Sequence, residues 1–527
     1  MAHPRLWIAA LAVLGLATPA WADPDPRADA RALAAKIDQL IAARWQAEHV
    51  TPAPLADDGA FLRRLSLDVI GRVPLVSETR LFLRDSLSEK REQAIERLLD
   101  SPGYVSNFSN IWRDLLMPEA NADFQQRFLS ANMERWLRKQ FTENASFDRI
   151  VRELLTMPMP NGRNGMAVYY GPQQGDPTPL AFYQSKQGKP ENLAASTARL
   201  FLGIRLECAQ CHNHPFSHWT REQFWGQAAF FGGIRTQGQN GIFSPLSEVA
   251  DRRELAIPGT ERVAQARFLD GKEPQWRYKV TARNTLADWM TAADNPFFAR
   301  AIVNRVWAHF FGIGIVEPVD DLNDENKPSH PELLDELAHQ FVRHGFDLRF
   351  LIRAITMSKT YQLSSVYPSA ASPDVHLFAY MPVKGLSQDQ LIDSFHLVTG
   401  TPSQGGRRGF NFNVNGFENK FTNQEKRTEY QTSIPQALAL MNSQLVGNAT
   451  HPSRSVFLAA VLNAPFLDTD GRIETLYLAA LSRKPRPDEL EKYHRYIEKG
   501  GAAKDPKAAL GDVFWALLNS PEFFLNH

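Results

Sequence analysis

Cysteine is almost absent: the 527 residues contain two. A framework of several disulfides is therefore excluded, and whatever chemistry the pair has, it has alone. Charge of one sign is not in excess, with 58 Lys and Arg against 58 Asp and Glu. That balance supplies no basic field for nucleic acid or for a membrane surface. After residue 22 no apolar run approaches the ~20 residues of a membrane span, so no transmembrane segment is expected in the mature chain. A Walker A loop, a G-x-G-x-x-G after a strand, H-E-x-x-H and G-x-S-x-G are all missing. NTP, nicotinamide, zincin and α/β-hydrolase chemistry are accordingly not expected. A glycosidase stays open, because two carboxylates need no local motif. No internal repeat of fixed period is found. Apolar residues make up 43%, enough for large cores, and the length implies two to four domains.

What the chain does have is both cysteines in one phrase, Cys208-Ala209-Gln210-Cys211-His212. C-x-x-C-H is the spacing of a c-type haem attachment site. Two intervening residues let both sulfurs reach one porphyrin edge, and His212 becomes the proximal iron ligand. Two other readings stand beside it. An oxidising compartment favours a Cys208–Cys211 disulfide. Alternatively, Cys208, Cys211, His214 and His218 supply four zinc ligands at workable spacing. With haem, Met157, Met159 and Met166, in or next to the irregular segment before the motif, are the distal ligand candidates, and Met ligation would raise the potential.

The first 22 residues bear on location. One Arg, an apolar run from Leu6 to Leu16 and Ala20-Trp21-Ala22 read as a cleaved signal peptide, so a periplasmic or secreted protein is expected. Haem c attachment and export fit one another.

Along the rest of the chain the pattern is helical. Helices are expected near 31–50, after an Asp57 cap to Gly71, at 88–100, 106–117, 127–141 and 147–155. A Pro- and Gly-rich stretch from Met157 to Pro179 interrupts them. Helix resumes near Glu191 and leads into the motif, and Thr220-x-x-Gln223 is a capping box for the next helix. Only residues 234–282 favour strands, near 257–268 and 277–280. From Asn284 the chain is helical again, with Pro331 at a first helical position and Asp347 as a cap. The expected fold is mainly α: residues 30–233 as a first helical lobe, a β-containing linker over 234–283, and a second lobe over 284–527.

Several phrases together resemble a known domain pair. Leu202-Gly203-Ile204-Arg205-Leu206-Glu207-Cys208-Ala209-Gln210-Cys211-His212-Asn213-His214-Pro215-Phe216 is similar to a secreted, cytochrome-associated family first noted in planctomycetes. Asn295-Pro296-Phe297-Phe298-Ala299-Arg300, Ser329-His330-Pro331, Thr360-Tyr361-Gln362 and Gln436-Ala437-Leu438 resemble its usual C-terminal partner. The resemblance implies a link to extracellular carbohydrate breakdown by setting, and no reaction. Members often carry cysteines near 403–425, where this chain has Gly405-Gly406-Arg407-Arg408.

Further polar groups stand out. Glu317 to Asn326 is acidic but lacks EF-hand spacing, so a solvated, helix-capping loop is expected rather than a Ca²⁺ site. Arg300, Asn304, Arg305 and His309 line one helix face, toward a cleft or an inter-domain network. Trp219, Phe224, Trp225, Phe230 and Phe231 either wall a haem pocket or form core. Asp389, Asp393, Arg407 and Arg408 have no evident partner in the sequence. The expectation is an exported redox protein with one covalent haem c and its iron. It would be an electron carrier or an oxidoreductase acting on an extracellular substrate such as a carbohydrate, with a redox partner or that carbohydrate as its partner. The rivals are a non-redox hydrolase or lyase stapled by the cysteines, and a binding protein that uses Arg407, Arg408, Phe410, Phe412 and Phe417.

Overall fold

A computed structural model describes residues 26–121, 124–159, 176–236, 244–401 and 443–527. The expected signal peptide, Met166 and the 403–425 segment, with Arg407, Arg408, Phe410, Phe412 and Phe417, lie outside the described residues. The fold is mainly α, as expected. Helices run Pro26–Ala47, Asp58–Ile70, Val76–Arg84, Lys90–Leu99, Pro102–Leu116, Phe124–Thr142 and Phe147–Thr156 before the motif. The second helix starts where Asp57 accepts a hydrogen bond from the Ala60 amide and stops at Gly71 in the left-handed region. The Val76–Arg84 helix was not foreseen: its nine residues are short and bury only Thr79 and Phe82.

The strand region is smaller than expected. Ile234–Thr236 pairs antiparallel with Leu246–Glu248, and Glu254–Ala256 with Val263–Gln265. Residues 277–280 are not a strand, because Tyr278 is fully turned to solvent at 88% exposure and has no face to bury. Helices Ala282–Met290, Phe298–Phe311, Pro331–Arg343, Leu348–Met357 and Gln388–Thr399 follow, and five more of six residues or longer lie between Gln444 and Leu518 among the described residues.

Hydrophobic packing does not divide at residue 284. One core runs from Ala30 to Met381 and takes in the motif's Ala209. A second gathers Leu386 to Phe524 and receives Leu67 and Val73 from the first hundred residues. The Asp58–Ile70 helix joins the two cores, and it is buried on every face from Phe61 to Ile70. Its polar residues are therefore obliged to find partners inside. Arg63 donates to the carbonyls of Ala480 and Phe523 (3.0 and 2.9 Å), and Arg64 donates to the carbonyl of Tyr361. Asp68 pairs with Lys384, from the two-residue strand Lys384–Gly385 that pairs with Leu525–Asn526. The end of the chain is thus held against its beginning.

Candidate functional site

The motif folds as a tight turn on the surface of the first core. A left-handed Gly203 ends the helical segment before it, and Glu207–Gln210 form one 3-10 turn. Ala209 is wholly buried and anchors that turn from beneath. Trp225 fastens it from the following helix, donating its indole N–H to the Gln210 carbonyl at 3.0 Å. Thr220 and Gln223 form the expected capping box. With its backbone pinned from two sides, the turn presents Cys208, Cys211 and His212 outward: all three are exposed, and both thiols are free.

The His212 ring is oriented. Its Nδ1 lies 2.7 Å from the Asn213 carbonyl. A carbonyl only accepts, so Nδ1 is the donor, and Nε2 is the nitrogen that offers a lone pair in the neutral ring. His214 is differently engaged, because its Nδ1 accepts the Phe216 amide N–H at 3.2 Å. His218 Nδ1 lies 3.4 Å from Asp324. Among the described residues no three His, Cys, Asp or Glu side chains gather into a metal-binding group. The zinc set Cys208, Cys211, His214 and His218 is therefore not assembled in this arrangement.

Met157 and Met159 are each 6% exposed within the first core, whereas His212 is at the surface. The Met157 carbonyl accepts from buried Arg283, at 3.0 Å. Both side chains are placed as packing residues. The five aromatics are core as well. Trp219, Phe224, Trp225, Phe230 and Phe231 are all buried, and Phe230 stacks on Phe268 at 5.2 Å.

The acidic loop is the main departure from expectation. It is docked through Asp320 over the segment that leads into the motif, while Asp324 and Glu325 stay exposed as expected. Asp320 is only 6% exposed and accepts from Arg199 and from Arg205 (2.9 Å). The Leu322 amide donates to the Gly203 carbonyl at 2.7 Å. Burial works against the Asp320 carboxylate, but Arg199, Arg305 and Arg205 outweigh it and hold the group below its ordinary range. A Cβ on Gly203 would meet Leu322 Cδ1 at 2.1 Å, so this close approach, like the positive φ, requires glycine.

The polar stripe of the Phe298–Phe311 helix is what positions the loop. Asn304 donates to the carbonyls of Val316 and Val319 and accepts the Val316 amide. Arg305 donates to the Arg199 carbonyl (3.3 Å), and Arg300 pairs with Asp335. His309 turns to the Asp68 carbonyl, 2.9 Å away. The stripe thus makes contacts on both sides of residue 284, to the backbone of Asp68 and Arg199 and within the later segment. Arg305 Nε is shut off from solvent without a hydrogen-bond partner, and burial pushes the guanidinium down to about 10.

A second group of charges lies on the Gln388–Thr399 helix. Arg113 joins Asp114, Glu134 and Asp389. Asp393 keeps contact with solvent but is crowded by protein, and that desolvation, with Asp389 beside it, raises its carboxyl to about 6.

Residues 36–236 match the family PSCyt2, described as a protein of unknown function (DUF1549). Residues 282–434 match PSD1, described as a protein of unknown function (DUF1553). The two are consistent with the domain pair that the motifs resemble, and neither description names an activity. No curated protein and no solved structure matches the chain.

Proposed function

We propose that this chain is an exported redox protein carrying one covalent haem c on the Cys208–His212 turn. The observation that carries the reading is His212. Its Nδ1 is tied to the Asn213 carbonyl, which leaves Nε2 as the nitrogen available for ligation on an exposed ring, and two free, exposed thiols precede it on the same turn. This donor set suits a porphyrin that arrives from outside the fold. Cys208 and Cys211 would form the thioethers, and His212 would hold the iron; the bound group supplies one-electron chemistry. The chain's own contribution is to fix the turn through Ala209 and Trp225 and to set the tautomer of His212. An electron carrier, or an oxidoreductase acting on an extracellular substrate such as a carbohydrate, is the role proposed.

The test is expression into the periplasm with c-type maturation machinery, followed by a visible spectrum and a denatured intact mass. One haem retained after denaturation supports the reading. An apo mass beside a normally matured control cytochrome overturns it.

A further inference from the structure

The loop that follows the motif treats its first two histidines in opposite ways. The His214 amide donates to the carbonyl of buried Trp219 at 2.8 Å, which ties the loop to the first core. The Phe216 amide donates to His214 Nδ1 at 3.2 Å. An N–H can donate only to a lone pair, so His214 Nδ1 is unprotonated and the ring's proton sits on Nε2. The one lone pair of that ring is already taken. His212 has the reverse arrangement. Its Nδ1 donates to the Asn213 carbonyl, and the lone pair of the neutral ring falls on Nε2. His212 is exposed, whereas His214 is half-buried. Asn213 stands between them and is fastened by its own side chain. Its Oδ1 accepts the Arg221 amide at 3.0 Å, where the helix Arg221–Ala229 begins. The carbonyl that orients His212 thus belongs to a residue clamped to a helix end.

We propose that Asn213 is the positioning residue that makes His212, and not His214, the imidazole ligand offered by this turn. That His212 receives iron rests on the haem reading above; the opposite proton placements rest on the hydrogen bonds alone. Two imidazoles lie within three residues of Cys211, and spacing does not choose between them. The hydrogen bonds do. Ligation through His214 Nδ1 would first break the Phe216 contact, and ligation through its Nε2 would first move the proton. A carbonyl acceptor on the far nitrogen also makes an imidazole a more basic ligand. Acting through His212, Asn213 would therefore favour oxidised iron and lower the potential.

The experiment uses the full chain, expressed once without haem maturation and once with it. In the unmatured chain, nitrogen NMR of labelled histidine rings reads the tautomers. The proton is expected on Nδ1 of His212 and on Nε2 of His214. Diethyl pyrocarbonate, which attacks the unprotonated nitrogen, should acylate His212 about tenfold faster than His214, the effect of one occupied lone pair. Peptide mass mapping reads the two rates. In Asn213→Ala the His212 signal becomes a mixture of tautomers. In Asn213→Asp, which keeps an acceptor oxygen for the Arg221 amide, the Nδ1 proton returns. Phe216→Pro removes the amide donor, and His214 then reacts as fast as His212. In the matured chain, Asn213→Ala raises the reduction potential and leaves haem content unchanged. Circular dichroism melting identifies any variant that has merely unfolded, and the wild-type tautomers decide the exclusion of His214 without a variant. A proton on Nδ1 of His214, or equal acylation of both rings in the wild type, overturns the proposal. So does a folded Asn213→Ala chain with wild-type tautomers. Absence of covalent haem, with the tautomers as expected and dependent on Asn213, overturns the haem reading and leaves the role of Asn213 standing.

Discussion

Lys384 and Asp68, 316 residues apart, form an ion pair from which solvent is excluded: Nζ lies 2.8 Å from the carboxylate, and neither side chain has any accessible surface. The pair is completed on both sides. Tyr361 Oη donates to Asp68 at 2.9 Å and Asn526 Nδ2 donates at 2.8 Å, while Lys384 also donates to the carbonyls of His309 and Phe310. A buried pair is retained only when the remaining donors and acceptors are satisfied in this way. Tyr361 pays part of the cost: burial, with Asp68 beside it, raises its phenol far above the ordinary range.

Removing one partner exposes that cost. Lys384→Met leaves Asp68 charged and without its cation in the interior, so a loss of about 3–5 kcal/mol is expected. Urea unfolding checks it. The double variant Lys384→Met/Asp68→Asn should recover much of the loss, and a double variant as unstable as the single one would show that the pair is not the determinant.

Gly203→Ala should loosen the loop over the motif. The substitution meets a left-handed backbone and the Leu322 side chain at once, which together cost about 2–4 kcal/mol. Limited proteolysis should then cut near residues 320–326 earlier than in the wild type. Unchanged cleavage there would mean that the loop is held without Gly203.

Stability should fall with acid through His330. The ring is 6% exposed and its Nε2 has no hydrogen-bond partner. Burial, with Arg44 and His376 nearby, pushes it down to about 4. The unfolded chain takes up this proton near pH 6.5 and the folded chain only near 4. The stability present above 6.5 is therefore lost progressively between those values, by about 2–3 kcal/mol. In His330→Leu the slope over that window should flatten in denaturant titrations at a series of pH values.

Asp393 has the opposite sign. Its folded carboxyl is raised to about 6, so the penalty is absent in acid and grows as pH rises through that value. Asp393→Asn should raise the melting temperature at pH 7.5 and leave it unchanged at pH 4. A shift at both values would point to packing rather than charge.

Cys208→Ser/Cys211→Ser should abolish covalent haem and leave the fold alone. Both side chains are exposed, and surface replacements usually change stability by less than about 0.5 kcal/mol. Intact mass and thermal melting check the two halves of this prediction. A large drop in melting temperature for the haem-free protein would instead favour a disulfide staple.

Much of the helical layout was legible in the chain because its signals are local. Asp57, Thr220 and Asp347 each accept the amide of a residue two or three places on, and Pro331 sits at a helix start. The Val76–Arg84 helix was missed because little of it is buried. The acidic loop was misjudged because composition alone made Asp320 look solvated. Its arginine partners lie 115 and 121 residues away, beyond any spacing rule.

The sequence by itself determined the helices, the C-x-x-C-H turn and the chemistry its residue types can perform, since each depends on neighbours within a turn or two. Tertiary structure alone decided which charges meet. It placed Asp320 against Arg199 and Arg205, and Lys384 against Asp68. A buried or half-buried charge takes its partner from whatever the packed core brings within about 3 Å. That distance is set by the fold, and residues far apart in the chain carry no mark of it.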